Sequence, residues 1–319
     1  MNNNPLRKQW ENESFADFKK RTDYISANLI CANSAEIKMY KNRSLGGMLD
    51  KFPLGDKFYK SDSNAYESLS EKLASILLSC SNLATDTYVS YDLVPLMIDN
   101  EYRVGCESLN FKTEYPFEMI LFYAQSQESN RSQSHQKELF RRLHQTGDLA
   151  EKFQLLLDFI VFKTAVSELL IKERLLTMMA FDLLILNRDR HYGNLIILEA
   201  FGSDKINPIP LFDYGNSVIG GINSPEIIKT YFPKASSMEE IFNTIRNQRD
   251  RMFNEPFYQL GEFTKTQNFF LYFDYNQLLD KLATFQKEQL LYHPSEVGLS
   301  TQFLLLCLRQ TEGTLWKRL

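Results

Sequence analysis

The sequence predicts an α+β chain in two unequal parts: a small antiparallel sheet carrying one helix over residues 1–111, then a larger, mainly helical portion over 112–319. Two observations carry this expectation. Between 36 and 111, short runs alternate in the manner of strands, as in Lys57-Phe58-Tyr59-Lys60, and a single helical period interrupts them at Tyr66, Leu69, Leu73, Ile76 and Leu77. From 117 onward the pattern turns helical, with wide apolar coverage at 149–162 and 164–186.

Taken in order, residues 1–35 hold an amphipathic helix around Phe15, Phe18 and Tyr24. Strands are expected at 37–40, 57–60, 87–96 and 101–106, and Ser63 or Asn64 caps the helix at 66–80. The stretch Cys106-Glu107-Ser108-Leu109-Asn110-Phe111 ends the last strand and leads into the second part. The Ser-, Gln- and Asn-rich segment 125–136 reads as a loop, and so does the stretch with Gly220, Gly221 and Pro225. Further helices are expected at 238–253, 275–288 and 294–316.

With 319 residues and 44% hydrophobic content, the chain is long enough for two parts with separate cores. A net charge of −4 argues against a general nucleic-acid or anionic-membrane binder, and clusters such as Lys19-Lys20-Arg21 are short solvated faces. The four cysteines form no C-x-x-C pair, which disfavours structural zinc and suits buried free thiols in a reducing compartment. The start, Met-Asn-Asn-Asn-Pro, has no basic and apolar leader, and the longest apolar run, 175–186, is too short to span a bilayer. A cytoplasmic location is the expectation.

The most informative stretch is 181–217. It contains Asn187-Arg188-Asp189-Arg190-His191-Tyr192-Gly193-Asn194, an apolar run at 195–198 that begins a short strand pair, and Asp213-Tyr214-Gly215. An acid, an amide further on and a second acid beyond a strand pair is a phosphoryl-transfer layout. Magnesium carried by substrate phosphates needs only a carboxylate or two plus an amide or water, and an attacking hydroxyl needs a positioned base. Asp189 is the candidate base, and Asn194 and Asp213 are the candidate metal ligands. Asp182, inside the preceding helix, reads as a buried anchor for the loop. His191 reads as a shaper of the loop, and Arg190 as a partner for Asp213 or for a phosphorylated serine.

These residues resemble the catalytic portion of the HipA family of kinases, which shows Asn-x-Asp-Arg-His-x-x-Asn followed by a Phe/Tyr-Asp element. The phosphoinositide kinases share the Asp-Arg-His-x-x-Asn block, but upstream residues favour HipA. Ser44-Leu45-Gly46-Gly47-Met48-Leu49-Asp50-Lys51 is similar to the family's Ser-x-x-Gly-x-x-x-Lys phosphate loop, where glycines let backbone N–H groups approach phosphate oxygens. Lys60 takes the place of the family's nucleotide lysine, with Lys57 as runner-up. Glu67, ahead of Leu73-Ala74, takes that of the lysine's partner, leaving Glu71 as a surface charge.

The resemblance implies a two-lobed protein-kinase-like fold that uses ATP and Mg2+ to phosphorylate Ser or Thr on a protein. It places Ser44, Gly46, Gly47, Lys51 and Lys60 on the phosphates, and Ser108 and Asn110 at an adenine-reading hinge. It also makes Ser44 a site of autophosphorylation, in keeping with the repulsion that a new dianion would exert on a bound nucleotide. It implies a toxin-like role in bacteria, against an aminoacyl-tRNA synthetase or another translation factor, with an antitoxin protein as partner and no direct contact with nucleic acid or membrane. Only about 40 residues precede the phosphate loop, too few for the N-terminal subdomain of full-length members, so the chain resembles the shorter HipT-like branch. A lipid or small-molecule kinase is the competing enzyme reading. A nucleotide-binding pseudokinase is the competing non-enzyme reading.

Overall fold

The computed structural model describes residues 13–35, 37, 50–61, 66–110, 117–121, 138–139, 141–143, 145–164, 166–190, 196–200, 206–208, 210–247 and 255–319. Helix α1 (Phe15–Asn28) starts at an N-cap where Ser14 accepts from the Asp17 N–H. Strands β1 (Ile30–Ala32), β2 (Asp50–Leu54) and β3 (Lys57–Ser61) precede helix α2 (Tyr66–Leu78), and β4 (Asp92–Ile98) and β5 (Glu101–Leu109) follow it. The five strands form one sheet in the order β1-β4-β5-β3-β2. All neighbours are antiparallel except β1, which runs parallel to β4 with Ile30 opposite Leu96.

Register separates the two faces of this sheet. Phe52 pairs with Tyr59, their rings stacked at 5.3 Å, while the adjacent pair Lys51 and Lys60 points to the opposite face. Phe52, Tyr59, Val94, Leu96, Ile98 and Ile37 form a small apolar cluster on one side. Helix α2 covers the other side and is buried along most of its length.

Farther along lie α3 (Leu149–Thr164) and α4 (Glu168–Ile185), with Ser167 capping α4 and Leu186 ending it in the left-handed region at φ 55°. Strands β6 (Phe117–Leu121), β7 (Ile196–Ala200) and β8 (Ile206–Pro208) make an antiparallel sheet. Helices α5 (Val218–Gly221), α6 (Pro225–Tyr231), α7 (Met238–Asn247) and α8 (Glu255–Thr264) follow. Strand β9 (Leu271–Phe273), α9 (Tyr275–Glu288), α10 (Pro294–Thr311) and β10 (Trp316–Arg318) complete the chain, β10 pairing parallel with β9. Trp316 is fully buried between Phe273 and Tyr275, and its Nε1–H donates to Leu308 O at 2.8 Å.

The α+β class and the single helix within the first sheet are as expected. Two apolar clusters are present, but the larger is not confined to the second part: it runs from α2 and β5 through α4 to α10 and Trp316, while the smaller stays on the first sheet. Helical character does not begin at 117, because 117–121 is a strand held by pairing to β7, a non-local partner that the local pattern cannot announce. Ile37 donates to Asn33 O in a helical turn rather than opening a strand, and the rest of the strand expected at 37–40 lies outside the described residues. The glycine stretch after 217 contains a short helix, α8 was not expected, and the last helix stops at Thr311 before β10. Cys31 is exposed, and Cys80, Cys106 and Cys307 are buried free thiols. The loop read at 125–136 lies outside the described residues.

Candidate active site

Lys60 stands on the face of β3 turned toward α2 and is 4% exposed. Its ammonium donates to Glu71 Oε1 at 2.6 Å and to Asp213 Oδ1 at 2.9 Å, and lies 4.8 Å from the centre of the Tyr91 ring. Burial alone would push the Lys60 pKa down, but Asp213 and Glu71 outweigh it and hold the ammonium protonated, well above the ordinary lysine value. Lys51, directly opposite on β2, reaches the same Asp213 oxygen at 3.9 Å. Two ammoniums paired across a ladder repel, and the carboxylate offsets that repulsion. Lys57, an odd number of positions away on the strand, points to the other face and bonds Glu107. Lys60, and not the runner-up Lys57, is therefore the β3 lysine that faces Asp213.

The lysine's partner is Glu71, not Glu67. Helix α2 turns position 71 toward β3, while Glu67, one turn earlier, lies against Gly215: a Cβ built there would stand 3.2 Å from Glu67 Oε2. Glu71 has a second tie, because Tyr214 N–H donates to its Oε2 at 3.0 Å. Burial raises the Glu71 pKa, and Lys60 works against that rise.

Asp213 sits in the left-handed region at φ 65°, a conformation an Asp tolerates better than most residues. Burial would raise its pKa, yet Lys60 and Lys51 hold the carboxyl well below the usual carboxylate range. Its side chain keeps 21% exposure, so an ionised oxygen donor faces the same space as two ammoniums. Tyr214, in the Phe slot of such elements, is buried with its ring edge-on to Phe181 at 5.3 Å and to Tyr91 at 6.5 Å. Its hydroxyl is buried without a hydrogen-bond partner among the described residues.

The candidate catalytic loop leaves α4 at Leu186. Asp182 acts as the expected anchor: Arg190 grips it with two bonds of 2.6 and 2.9 Å, and Asn187 Nδ2 donates to it at 2.9 Å. Arg190 also donates to Phe212 O at 2.8 Å, and Asn187 to Asp213 O at 3.3 Å, so one buried cluster joins the loop to the Asp213 element. Arg190 thus pairs with Asp182, not with Asp213 or a phosphoserine. At 3% exposure it is committed inside the loop, where burial opposes but Asp182 secures its charge. Asp189 is exposed, its N–H donating to the Asn187 side chain at 3.2 Å.

Ser108 and Asn110 are buried, but β5 continues through Leu109, with Ser108 opposite Phe58 and Cys106 opposite Lys60. The stretch 106–109 is therefore paired strand, because β3 recruits it. Asn110 N–H donates to Asp56 O at 2.8 Å, and 111–116 lie outside the described residues. So do Ser44, Gly46, Gly47, His191 and Asn194. Sequence reasoning missed Tyr91, whose signal was only an aromatic inside the strand expected at 87–96, and it assigned Glu71 to the surface.

The donor set suits a nucleotide triphosphate with a divalent ion: two ammoniums for phosphate oxygens and one ionised carboxylate for the metal. Among the described residues no three His, Cys, Asp or Glu side chains gather into a metal cage. An ion here would draw on Asp213 and on phosphate oxygens.

No family model matches the sequence, and no curated protein does. Among solved structures the chain is similar to the Helicobacter pylori proinflammatory kinase CtkA, with a TM-score of 0.53 and 15% identity over 84% of this chain and 90% of that one. It is also similar to the Shewanella oneidensis MR-1 toxin–antitoxin system HipA, in complex with HipB and operator DNA, with a TM-score of 0.41 and 15% identity over 83% of this chain and 64% of that one. The likeness to CtkA shows a kinase-like α+β fold. No helix among the described residues is long and apolar enough to cross a membrane.

Proposed function

We propose that this chain is a HipA-type protein kinase that uses ATP and magnesium to phosphorylate Ser or Thr. The observation that carries the reading is the buried Lys60 ammonium held between Glu71 and Asp213, on a kinase-like fold and beside the anchored loop that bears Asp189. In this reading residues 1–111 form an N-lobe and 112–319 a C-lobe. Asp213 and Asn194 hold magnesium, Lys60 and Lys51 engage phosphate oxygens together with Ser44, Gly46 and Gly47, and Ser108 and Asn110 meet the adenine. The bound magnesium nucleotide supplies the phosphoryl group and neutralises charge as it develops. Asp189 accepts the proton of the attacking hydroxyl, and Asp182 and Arg190 keep it in place. Filled acid, amide and lysine positions favour an active enzyme over a pseudokinase.

The acceptor protein, a toxin-like role in the cytoplasm and an antitoxin partner follow from the motif resemblance. Autophosphorylation at Ser44 follows from it too, and intact-mass analysis after incubation with ATP tests it: one added phosphate mapping to Ser44 is expected, and phosphate only elsewhere refutes it. The reaction itself is tested with γ-labelled ATP and magnesium, protein and phosphoinositide acceptors side by side. Label on Ser or Thr of protein supports the reading. Label on lipid alone moves the chain to the lipid kinases, and transfer undiminished in Asp189→Asn removes the base assignment.

A further inference from the structure

Helix α2 brings two glutamates, one turn apart, to the Asp213-Tyr214-Gly215 element, and a Cβ at Gly215 would also meet Glu71 Oε1 at 3.4 Å. Glu71 serves Lys60 and the Tyr214 N–H. Glu67 lies against Gly215, so close that an added Cβ would meet its Cβ at 3.1 Å and its Oε2 at 3.2 Å. The next residue, Asn216, is the hydrogen-bond partner of Arg188: Arg188 Nη2 donates to Asn216 Oδ1 at 2.8 Å, and Arg188 N–H to Asn216 O at 3.3 Å. Arg188 is the immediate neighbour of Asp189. Leu186 O and Val218 N–H close the same ladder at 3.2 Å.

We infer that Glu67, Gly215, Asn216 and Arg188 form a latch by which α2 positions Asp189, separate from the Glu71 tie that positions Lys60. The inference rests on the kinase reading above. An acid in the first turn of a helix already favours the helix dipole, but that role needs no glycine in front of it. Burial pushes the Arg188 guanidinium down, and the nearby carboxylates of Glu67 and Asp189 oppose that, so the cation sits in the field of both. A side chain at Gly215 would press on Glu67 at 3.1–3.2 Å, so glycine lets the carboxylate and the element approach without that displacement. Glu67 and Arg188 are positioning residues: they touch Asn216, Gly215 and the loop, not the reacting atoms.

The test uses Glu67→Gln, Arg188→Gln, their double variant, and Lys72→Ala, which lies on the same helix but pairs with Asp92. Hydrogen exchange is read at the Arg188 and Val218 amides. Loss of the Arg188–Asn216 tie, or of the Glu67 charge in whose field Arg188 sits, should speed exchange there by about tenfold in either single variant. The double variant should be no worse than the singles, and Lys72→Ala should match wild type. In turnover, kcat should fall by up to about 100-fold with the KM for ATP unchanged, as expected when a base is misplaced and the nucleotide is not. Exchange unchanged in Glu67→Gln, additive singles, or a KM for ATP that rises in step with the loss of kcat overturns the latch. If wild type transfers no phosphate to any acceptor, the kinase reading fails, and the exchange result still decides the latch.

Discussion

Lys60 Nζ lies 2.9 Å from Asp213 Oδ1, although 153 positions separate the two residues. An ion pair held this far inside a protein is poor evidence of stabilisation, since desolvation of both charges offsets much of the attraction. It is better evidence of a site, because strongly shifted ionisable groups gather where charge must be handled, and Asp213 keeps 21% exposure. Lys51 converging on the same oxygen strengthens that argument, for a purely structural pair has no use for a second ammonium.

Glu71→Gln keeps the shape of the side chain and removes the charge that holds Lys60. Phosphoryl transfer should fall by about 10²-fold or more, the scale for losing one electrostatic contact in a preorganised site. Steady-state rates at saturating ATP check this. A variant with wild-type kcat would show that Lys60 needs only Asp213.

Asp182→Ala leaves Arg190 buried with no carboxylate. Breaking such a pair costs about 3–5 kcal/mol, so the urea midpoint should drop sharply. Lys57→Ala, which removes a half-exposed partner of Glu107, should change stability by less than about 1 kcal/mol. The contrast between the two is read in one pair of denaturation curves.

Gly220→Ala should destabilise by about 1–3 kcal/mol or more. A Cβ at that position would stand 2.1 Å from Ser70 Oγ and 2.6 Å from both Ser70 N and Tyr66 O, and backbone atoms of α2 cannot yield as a flexible side chain would. Because α5 packs there, the loss should also loosen the Asp213 element, visible as faster proteolysis near 213–221.

The Asp213 charge sets a pH dependence. Its folded pKa is depressed below the ordinary 3.8, so its contribution to stability is present above that value and is lost as pH falls toward the folded pKa. Lys60 is raised above the ordinary 10.5, so its share is present below that value and is lost only in strong base. Asn tolerates the left-handed backbone of position 213, which makes Asp213→Asn a clean comparison. The stability difference between wild type and Asp213→Asn should hold steady from about pH 5 to 9 and shrink below about pH 4. Urea midpoints across that range give the answer.

Local patterns made α2, strand β3 and the helices α3, α4 and α9 legible, because their apolar periods coincide with the faces they bury, whereas β2 was not expected and exists through its pairing with β3. The motif order placed Asp213 and Lys60 in one candidate site, though not as each other's partner. Three things stayed hidden for a common reason: they depend on a partner far away in sequence. Strand β6 exists through β7, the extension of β5 through Leu109 exists through β3, and the choice of Glu71 over Glu67 depends on how α2 is rotated against β3. Spacing within a helix shows that two glutamates share a side. It does not show which of them meets the strand.

Calorimetric titration of magnesium and ATP tests the central claim most directly, comparing wild type with Lys60→Ala and Lys57→Ala. Wild type should bind the nucleotide only with the metal present. Lys60→Ala should lose about 10- to 100-fold in affinity, the weight of one or two charge-assisted hydrogen bonds, and Lys57→Ala should match wild type. Equal binding by wild type and Lys60→Ala, or a loss confined to Lys57→Ala, would contradict the account.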